Sequence, residues 1–170
     1  MSAENYAKTA VLSRDKIATW LSDLGTVVGK SFRLNDEGLF VSEDAEGNEF
    51  VISVPSEESP LVYLYSPLSD LPEKGCESFY EQLLGWNLYG LETQLATLSV
   101  DREARKVVLY YAFPIEILDA VAFVNLFDNF VESAIKVKSQ VQSAAERPSS
   151  EETLPVREIS SLRKIWQIRG

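Results

Sequence analysis

FYEQLLGWNLYGL, residues 79–91, is the stretch around which the rest of the predicted fold is arranged. Its apolar residues recur at steps of three and four, the spacing of one face of an α-helix. Trp86 and Tyr89 add large apolar area outside that stripe, and Gly85 and Gly90 would each cost up to about 1 kcal/mol in a helix interior. A helix that is bulky on several sides indicates a surface against another chain. A buried core helix with Gly90 as its C-cap explains the same residues.

Length and charge favour one acidic globular domain. The chain has 170 residues, a formal net charge of −10 and a pI near 4.5. Such a field opposes binding to nucleic acid or to an anionic membrane. The first ten residues have neither the basic nor the apolar region of a signal peptide, and the longest apolar run, Val107–Ile115, is half of a membrane span. With Cys76 as the single cysteine, we expect a soluble, intracellular protein without an internal disulfide.

The composition argues against catalysis. The sequence contains no histidine, which removes imidazole metal ligands and the commonest general base at neutral pH. Zinc sites built from one cysteine and carboxylates are improbable. The acidic pairs Glu57-Glu58 and Glu151-Glu152 lie in polar, turn-like contexts, and no phosphate-binding glycine loop or nucleophile motif is present. We therefore predict a protein that is not an enzyme, with no cofactor and no metal.

Periodicity predicts an α+β fold of the order α-β-β-β-α-β-β-α. The predicted elements are a helix over residues 6–24 capped by Gly25, strands 39–42, 50–54 and 61–66, the helix 79–91, strands 94–100 and 106–113, and a helix from the N-cap Asp119 to about Gln142. Residues 66–75, with Pro67 and Pro72, are predicted to be a loop. The apolar stripe of the last helix is predicted as Val121, Val124, Phe127, Val131, Ile135 and Val141.

The predicted antiparallel sheet is apolar on both faces. Val62 and Leu64 alternate with Leu61, Tyr63 and Tyr65, and both sets are apolar or aromatic. Three helices in one domain leave part of such a sheet uncovered, and uncovered apolar surface marks an interaction site.

The C-terminus differs in charge from the body of the chain. Residues 1–145 form the predicted domain, and residues 146–155 read as a Pro/Ser/Glu-rich linker. Residues 157–170 contain four basic side chains and one acidic one, so the preceding 156 residues carry −13. Val156, Ile159, Leu162, Ile165 and Trp166 lie at helical spacing within this basic amphipathic segment, 156–170. It could dock on its own dimer, bind a partner groove or lie on a membrane surface.

Four stretches resemble one family. They are LYSPLSDLP (64–72), LLGWNLYG (83–90), LSVDREARKVVLYYAFP (98–114) and LFDNFVESAIK (126–136). Their order, together with the size and acidity of the chain, is similar to that of the effector-dedicated, class I (Tir-chaperone-like) chaperones of bacterial type III secretion. The resemblance covers roughly residues 6–142.

The resemblance implies a homodimer without enzymatic activity or cofactor. Its partner would be the N-terminal segment of a secreted effector, which adds a strand or lays short helices in apolar grooves. It implies no nucleic-acid binding and no stable membrane insertion, and it leaves contact with the secretion-system ATPase open. The implied dimer interface is Leu83, Leu84, Trp86, Asn87, Leu88, Tyr89, Leu95 and Leu98. The implied effector-binding residues are Leu21, Leu24, Phe32, Leu34, Phe40 and Val51.

Two functions of different kinds follow. The first is a secretion chaperone that keeps an effector soluble and export-competent. The alternative is a regulatory module of the same fold that acts on a transcription or secretion-apparatus component. With the resemblance added, residues 79–91 are predicted to be a helix shared between subunits.

Overall fold

The structure, a computed structural model, describes residues 3–55, 60–73 and 76–146, with side chains from Ser13 onward. The helices are α1 (Ala3–Val28), α2 (Cys76–Asn87) and α3 (Ala120–Ala145). The strands are β1 (Leu39–Glu43), β2 (Glu49–Ser53), β3 (Leu61–Asp70), β4 (Thr97–Asp101) and β5 (Lys106–Pro114), with short 3-10 turns at Leu88–Gly90 and Ile115–Ile117. This order confirms the predicted α+β architecture. Apart from Glu146, the predicted linker and the basic segment 156–170 lie outside the described residues.

The five strands form one antiparallel sheet in the order β1-β2-β3-β5-β4. Side chains alternate between its two faces, as they must in a pleated strand. One face is buried beneath the helices and supplies much of the core through Phe40, Phe50, Ile52, Val54, Val62, Leu64, Leu68, Leu98, Val107, Leu109 and Phe113. The helices contribute Ile17, Leu21, Phe79, Leu83, Phe123, Phe130, Ala134, Val137, Val141 and Ala144 to this core.

The first helix ends later than predicted. α1 runs through Gly25 to Val28, and Gly29 follows with φ of 69°, a left-handed conformation that glycine adopts without strain. Gly25 is buried, and a Cβ there would lie 2.5 Å from the carbonyl oxygen of Lys30. Gly25 as the C-cap was therefore wrong: that residue lets the chain after the helix fold back closely, and Gly29 follows the helix end.

The third strand also continues past its predicted end. β3 extends to Asp70 with a register shift between Pro67 and Ser69. Proline is normally excluded from a central strand because it cannot donate to the ladder. Here β2 pairs with β3 only as far as Tyr65, so Pro67 lies where β3 has a partner only in β5. The predicted loop 66–75 was wrong in its first half for this reason.

The last helix begins as predicted but turns a different face to the core. Asp119 is its N-cap, and the Asp119 carboxylate accepts a hydrogen bond from the backbone N–H of Ala122 at 2.8 Å. The buried residues of α3 are Phe123, Phe130, Ser133, Ala134, Val137, Val141 and Ala144. Of the predicted stripe only Val141 is buried, Val124, Phe127 and Val131 are half-buried, and Val121 and Ile135 are exposed.

Among the described residues, no helix is both long enough and apolar enough to cross a membrane.

Candidate binding surfaces

The C-terminus of α2 is fixed to the outer edge of β4 by one side chain. The Asn87 carboxamide accepts a hydrogen bond from the Leu98 backbone N–H at 2.8 Å and donates one to the Leu98 carbonyl oxygen at 3.0 Å. Both backbone groups of Leu98 point away from β5, because the polar groups of successive residues in an antiparallel strand alternate between its two sides. Asn87 thus satisfies this part of an edge that another strand would otherwise pair with.

On both sides of Asn87 the chain exposes a set of apolar side chains that we call the helix-end patch. Its members are Leu84, Leu88, Tyr89, Leu91 and Leu95, all largely exposed. A cleft of about 720 Å³ between α2 and β4 adjoins it, with Leu71, Tyr80, Leu83 and Val100 among the lining residues. Five large apolar residues within twelve positions exceed the scattered singles of an ordinary surface.

The backbone of the helix-end patch is conformationally unusual. Tyr89, Gln94 and Leu95 have φ of 63°, 52° and 71°, in a region where a residue with a side chain costs about 1 kcal/mol or more. The turn is closed by a hydrogen bond from the Leu95 N–H to the Gly90 carbonyl oxygen at 2.9 Å. This explains why α2 ends at Asn87 rather than at the predicted Leu91, and why β4 begins at Thr97 rather than at Gln94.

The structure divides the predicted dimer-interface residues into two groups. Leu84, Leu88, Tyr89 and Leu95 lie on the helix-end patch. Leu83 and Leu98 are buried in the protomer, and Trp86 and Asn87 are half-buried. Leu91 was absent from the predicted interface because it was counted in the inward stripe of a longer helix; the turn after Asn87 places it on the helix-end patch.

The second surface is the face of the sheet that the helices leave uncovered, which we call the open sheet face. One row crosses all five strands through Val41, Val51, Tyr65, Tyr110 and Thr97, each directly opposite the next. Leu39, Ser53, Leu61, Tyr63 and Ala112 share this face. These residues are half-buried or exposed. Val108 also lies on this face and is buried. The prediction that the sheet is apolar on both faces is confirmed.

Carboxylates gather at one end of the open sheet face. Glu43 and Glu49 lie directly opposite each other. Asp70 and Asp101 each lie opposite Lys106, one on either side of β5. Lys106 forms a salt bridge with Asp70 at 3.0 Å, whereas Glu43 and Glu49 have no ion-pair partner among the described residues. Like charges directly opposite in a sheet are destabilising.

Tyr65 connects the apolar row to this acidic end. Its hydroxyl donates a hydrogen bond to the Asp101 carboxylate at 3.5 Å. Desolvation by burial, followed by the charges of Asp101 and Glu49, raises the pKa of the Tyr65 hydroxyl. The negative charges at this end of the face therefore act on Tyr65, in the central strand of the sheet.

The predicted effector-binding residues do not form one groove. Leu21 and Phe40 are buried in the core, while Leu24, Phe32 and Leu34 are half-buried near the end of α1. The Phe32 and Phe40 rings contact each other with centroids 5.1 Å apart. Val51 lies on the opposite face of the sheet from these residues, because it alternates with the buried Phe50 and Ile52.

Three exposed or half-buried residues of the open sheet face were absent from the predicted groove: Val41, Tyr65 and Tyr110. The period-2 alternation of the strands was the signal that could have placed them beside Val51. Among the described residues, no group of three or more Cys, Asp or Glu side chains is arranged to hold a metal ion.

Comparison with known proteins decides between the families compatible with this architecture. The sequence profile of the Tir chaperone protein (CesT) family matches residues 19–138, which include α2, the whole sheet and α3 from its start to Lys138. The chain belongs to this family. No curated protein matches the sequence.

Solved structures confirm the family fold. The chain is similar to one in the HopA1–SchA chaperone–effector complex, with a TM-score of 0.60, 16% identity and coverage of 78% of this chain and 97% of that one. A chain of the ExsC–ExsE complex gives a TM-score of 0.64, 18% identity and coverage of 75% and 95%. A chain of the heterodimeric ExoU–SpcU complex of the Pseudomonas aeruginosa type III secretion system gives 0.55, 20%, 76% and 98%.

Proposed function

We propose that this protein is a type III secretion chaperone that acts in the bacterial cytoplasm, binds the N-terminal segment of a secreted effector and keeps it export-competent. The proposal rests on membership of the Tir chaperone family together with one observation, an apolar sheet face that the protomer's own helices leave uncovered. In this view the protein works by binding alone, without catalysis or cofactor.

The edge of β1 supports a partner in extended conformation. Asn35 occupies its first position, since the Asn35 N–H donates to the Leu39 carbonyl oxygen at 2.8 Å and the Asn35 side chain accepts from the Leu39 N–H at 2.8 Å. By the alternation of an antiparallel strand, the outward polar groups beyond this point are those of Val41 and Glu43. An added strand would pair there while its side chains reach the open sheet face.

We propose further that two protomers meet through the helix-end patch. The exposed leucines supply the apolar centre, and the cleft between α2 and β4 can receive side chains from the partner. Such a dimer would carry two open sheet faces, so one extended effector segment could contact both protomers.

Capture from a lysate of the native host tests the binding proposal. Wild-type protein should retain one or a few secreted proteins through their N-terminal portions. The pair Val41→Asp and Val51→Asp, on the open sheet face, should abolish retention because it places charge on the apolar surface. The control pair Val121→Asp and Ile135→Asp, on α3, should retain the same proteins as the wild type. Equal retention by both pairs would contradict the assignment, and recovery of transcription components alone would favour the regulatory function.

A further inference from the structure

The acidic end of the open sheet face lies close to the point where the described chain leaves α3. Glu43, Glu49, Asp70 and Asp101 all lie at the same end of the sheet, as the pairing of their strands requires. With Lys106 as the one cation among them, these five residues carry a net charge of −3. Arg102 and Arg105 of the β4–β5 turn line the α2 cleft, and among the described residues neither forms a salt bridge with this group.

The last turns of α3 lie over the same end of the sheet. The Gln142 side chain donates a hydrogen bond to the Leu68 carbonyl oxygen at 3.4 Å, and the Lys138 ammonium donates one to Asn48 in the β1–β2 turn at 2.7 Å. The chain after Glu146 therefore starts at the acidic end, on the helix-covered side of the sheet.

The sequence that follows is complementary to this surface. Nine residues, 147–155, precede the basic amphipathic segment 156–170, which carries apolar residues at helical spacing and a net charge of +3 from residues 157–170. Nine extended residues reach roughly 30 Å, whereas packed layers are separated by about 10 Å. The connection is long enough to pass around the end of the sheet to its open face.

We propose that segment 156–170 docks on the open sheet face of its own chain. Its apolar residues would cover the row through Val51, Tyr65 and Tyr110, and its Arg and Lys side chains would neutralise the unpaired Glu43 and Glu49. The segment would then compete with the partner for this face, a consequence that rests on the proposed function. Segment 156–170 is displaced when a partner segment binds the same surface.

Hydroxyl-radical footprinting of the full-length protein tests the docking. Modification of Tyr65 and Tyr110 is measured in the wild type and in a variant carrying Arg163→Glu and Lys164→Glu. The variant should label roughly threefold faster, as expected if the segment covers the face about two-thirds of the time. A control with Lys16→Glu and Lys30→Glu changes the net charge equally at exposed positions outside this face and should label like the wild type.

Ionic strength and cross-linking provide independent measurements. At about 1 M salt the Debye length falls to about 3 Å, so wild-type labelling should rise toward that of the Arg163→Glu, Lys164→Glu variant. Carbodiimide coupling should join Lys164 to Glu43 or Glu49. In a mixture of isotopically heavy and light chains these cross-links should be intrachain. Unchanged tyrosine labelling, with no such cross-link, would overturn the proposal; mixed-isotope cross-links would assign the segment to a second copy and overturn docking on its own chain.

Effector capture separates this inference from the proposed function. Charge reversal in the segment should increase the amount of effector retained, because a competitor is weakened. If the tyrosines become more accessible while no effector binds any variant, docking stands and the chaperone function fails. If effector is captured while tyrosine labelling is the same in all variants, the docking fails alone.

Discussion

The side chain of Asn87 binds both backbone polar groups of Leu98, so that a single carboxamide makes the two hydrogen bonds that a neighbouring strand would make at this edge of β4. It ties the end of α2 to the sheet between Leu84 and Leu88 of the helix-end patch. The two edges of the sheet consequently differ: the β4 edge is occupied at Leu98 by the protomer itself, whereas no described residue pairs with the outer edge of β1 from Val41 onward.

Removing this carboxamide should destabilise the protomer. We expect Asn87→Ala to lower the free energy of unfolding by about 1–3 kcal/mol, because the Leu98 N–H and carbonyl lose their partners in a partly buried setting. Denaturant unfolding measures the change. Asn125→Ala, at an exposed position on α3, is the control and should change stability by less than about 0.5 kcal/mol. Equal losses of stability in Asn87→Ala and Asn125→Ala would show that the Asn87 hydrogen bonds make no net contribution to the free energy of unfolding.

The helix-end patch should determine the oligomeric state. Light scattering of the wild type should give twice the 19.1 kDa chain mass. Replacing Leu88 and Leu95 (60% and 71% exposed) by Glu should give monomers, since charges would be buried in an apolar contact. Ile117→Glu with Val121→Glu, at side chains 72% and 70% exposed, should leave the dimer intact. A wild-type monomer, or loss of the dimer only in the control, would contradict the assignment.

Gly38 should tolerate no side chain. It has φ of 80°, and a Cβ there would overlap the Val54 carbonyl oxygen and lie 2.6 Å from the Arg14 guanidinium. At Gly29, with φ of 69°, an added Cβ would have no neighbour within 4 Å, so this position isolates the backbone cost of about 1 kcal/mol. Thermal or denaturant unfolding should show Gly38→Ala to be less stable than Gly29→Ala by at least about 1 kcal/mol. Equal losses would mean that the neighbours of Gly38 move aside freely.

The β1–β2 turn should weaken at acid pH through Asp44. The Asn48 side chain, and then the Asn48 backbone N–H, donate to this carboxylate and hold the pKa of Asp44 below 3.8. A lowered pKa in the folded state gives stability that is present above pH 3.8 and is lost as the pH falls through the folded pKa. The stability difference between wild type and Asp44→Ala should therefore shrink below pH 3.8 in denaturant titrations.

Asp44→Asn provides the control for this titration. Its side-chain oxygen can still accept from the Glu46 and Asn48 backbone N–H groups, but it does not titrate. Its stability relative to Asp44→Ala should stay constant over the same pH range. A parallel decline in that difference would assign the acid sensitivity to other carboxylates.

Truncation should separate the folded domain from the C-terminal segment. A chain ending at Ala145 keeps all the buried residues of α3 and should remain folded and soluble, with a melting temperature close to that of the full chain. A chain ending at Gln140 loses the buried Val141 and Ala144 and should melt lower. If the longer truncation precipitates or melts far lower, residues after 145 belong to the core.

Features governed by local chemistry were predictable from the sequence. The N-cap Asp119 and the turn residues of the β1–β2 hairpin act through neighbours a few positions away, so their side chains identify them. The rotation of α3 was not predictable, since its buried face includes Ser133 and Ala134, and small residues carry little periodic signal. Pro67 was predicted to lie in a loop, but a strand can contain it because β2 stops pairing with β3 before it. The end of that pairing depends on tertiary structure and cannot be seen in the local sequence.

The two candidate surfaces were also predictable only in part. The alternation of the strands predicted an uncovered apolar face, but the residues implied by the family resemblance mixed the two sides of the sheet, with Phe40 inside and Val51 outside. Whether Leu88 and Leu91 face the core or the solvent depends on the helix end at Asn87, after which Tyr89 leaves the helical conformation.

The left-handed backbone at Leu95 implies a conflict between the stability of the protomer and the retention of its surface. Gly90, five residues earlier, adopts φ of 63° without strain, whereas Leu95 adopts 71° with a full side chain. A chain selected for folding alone would favour glycine at both positions. Leu95→Gly should therefore make the isolated protomer harder to unfold while weakening association. If Leu95→Gly stabilises the protomer and weakens association, the Leu95 side chain is retained for contact with another chain.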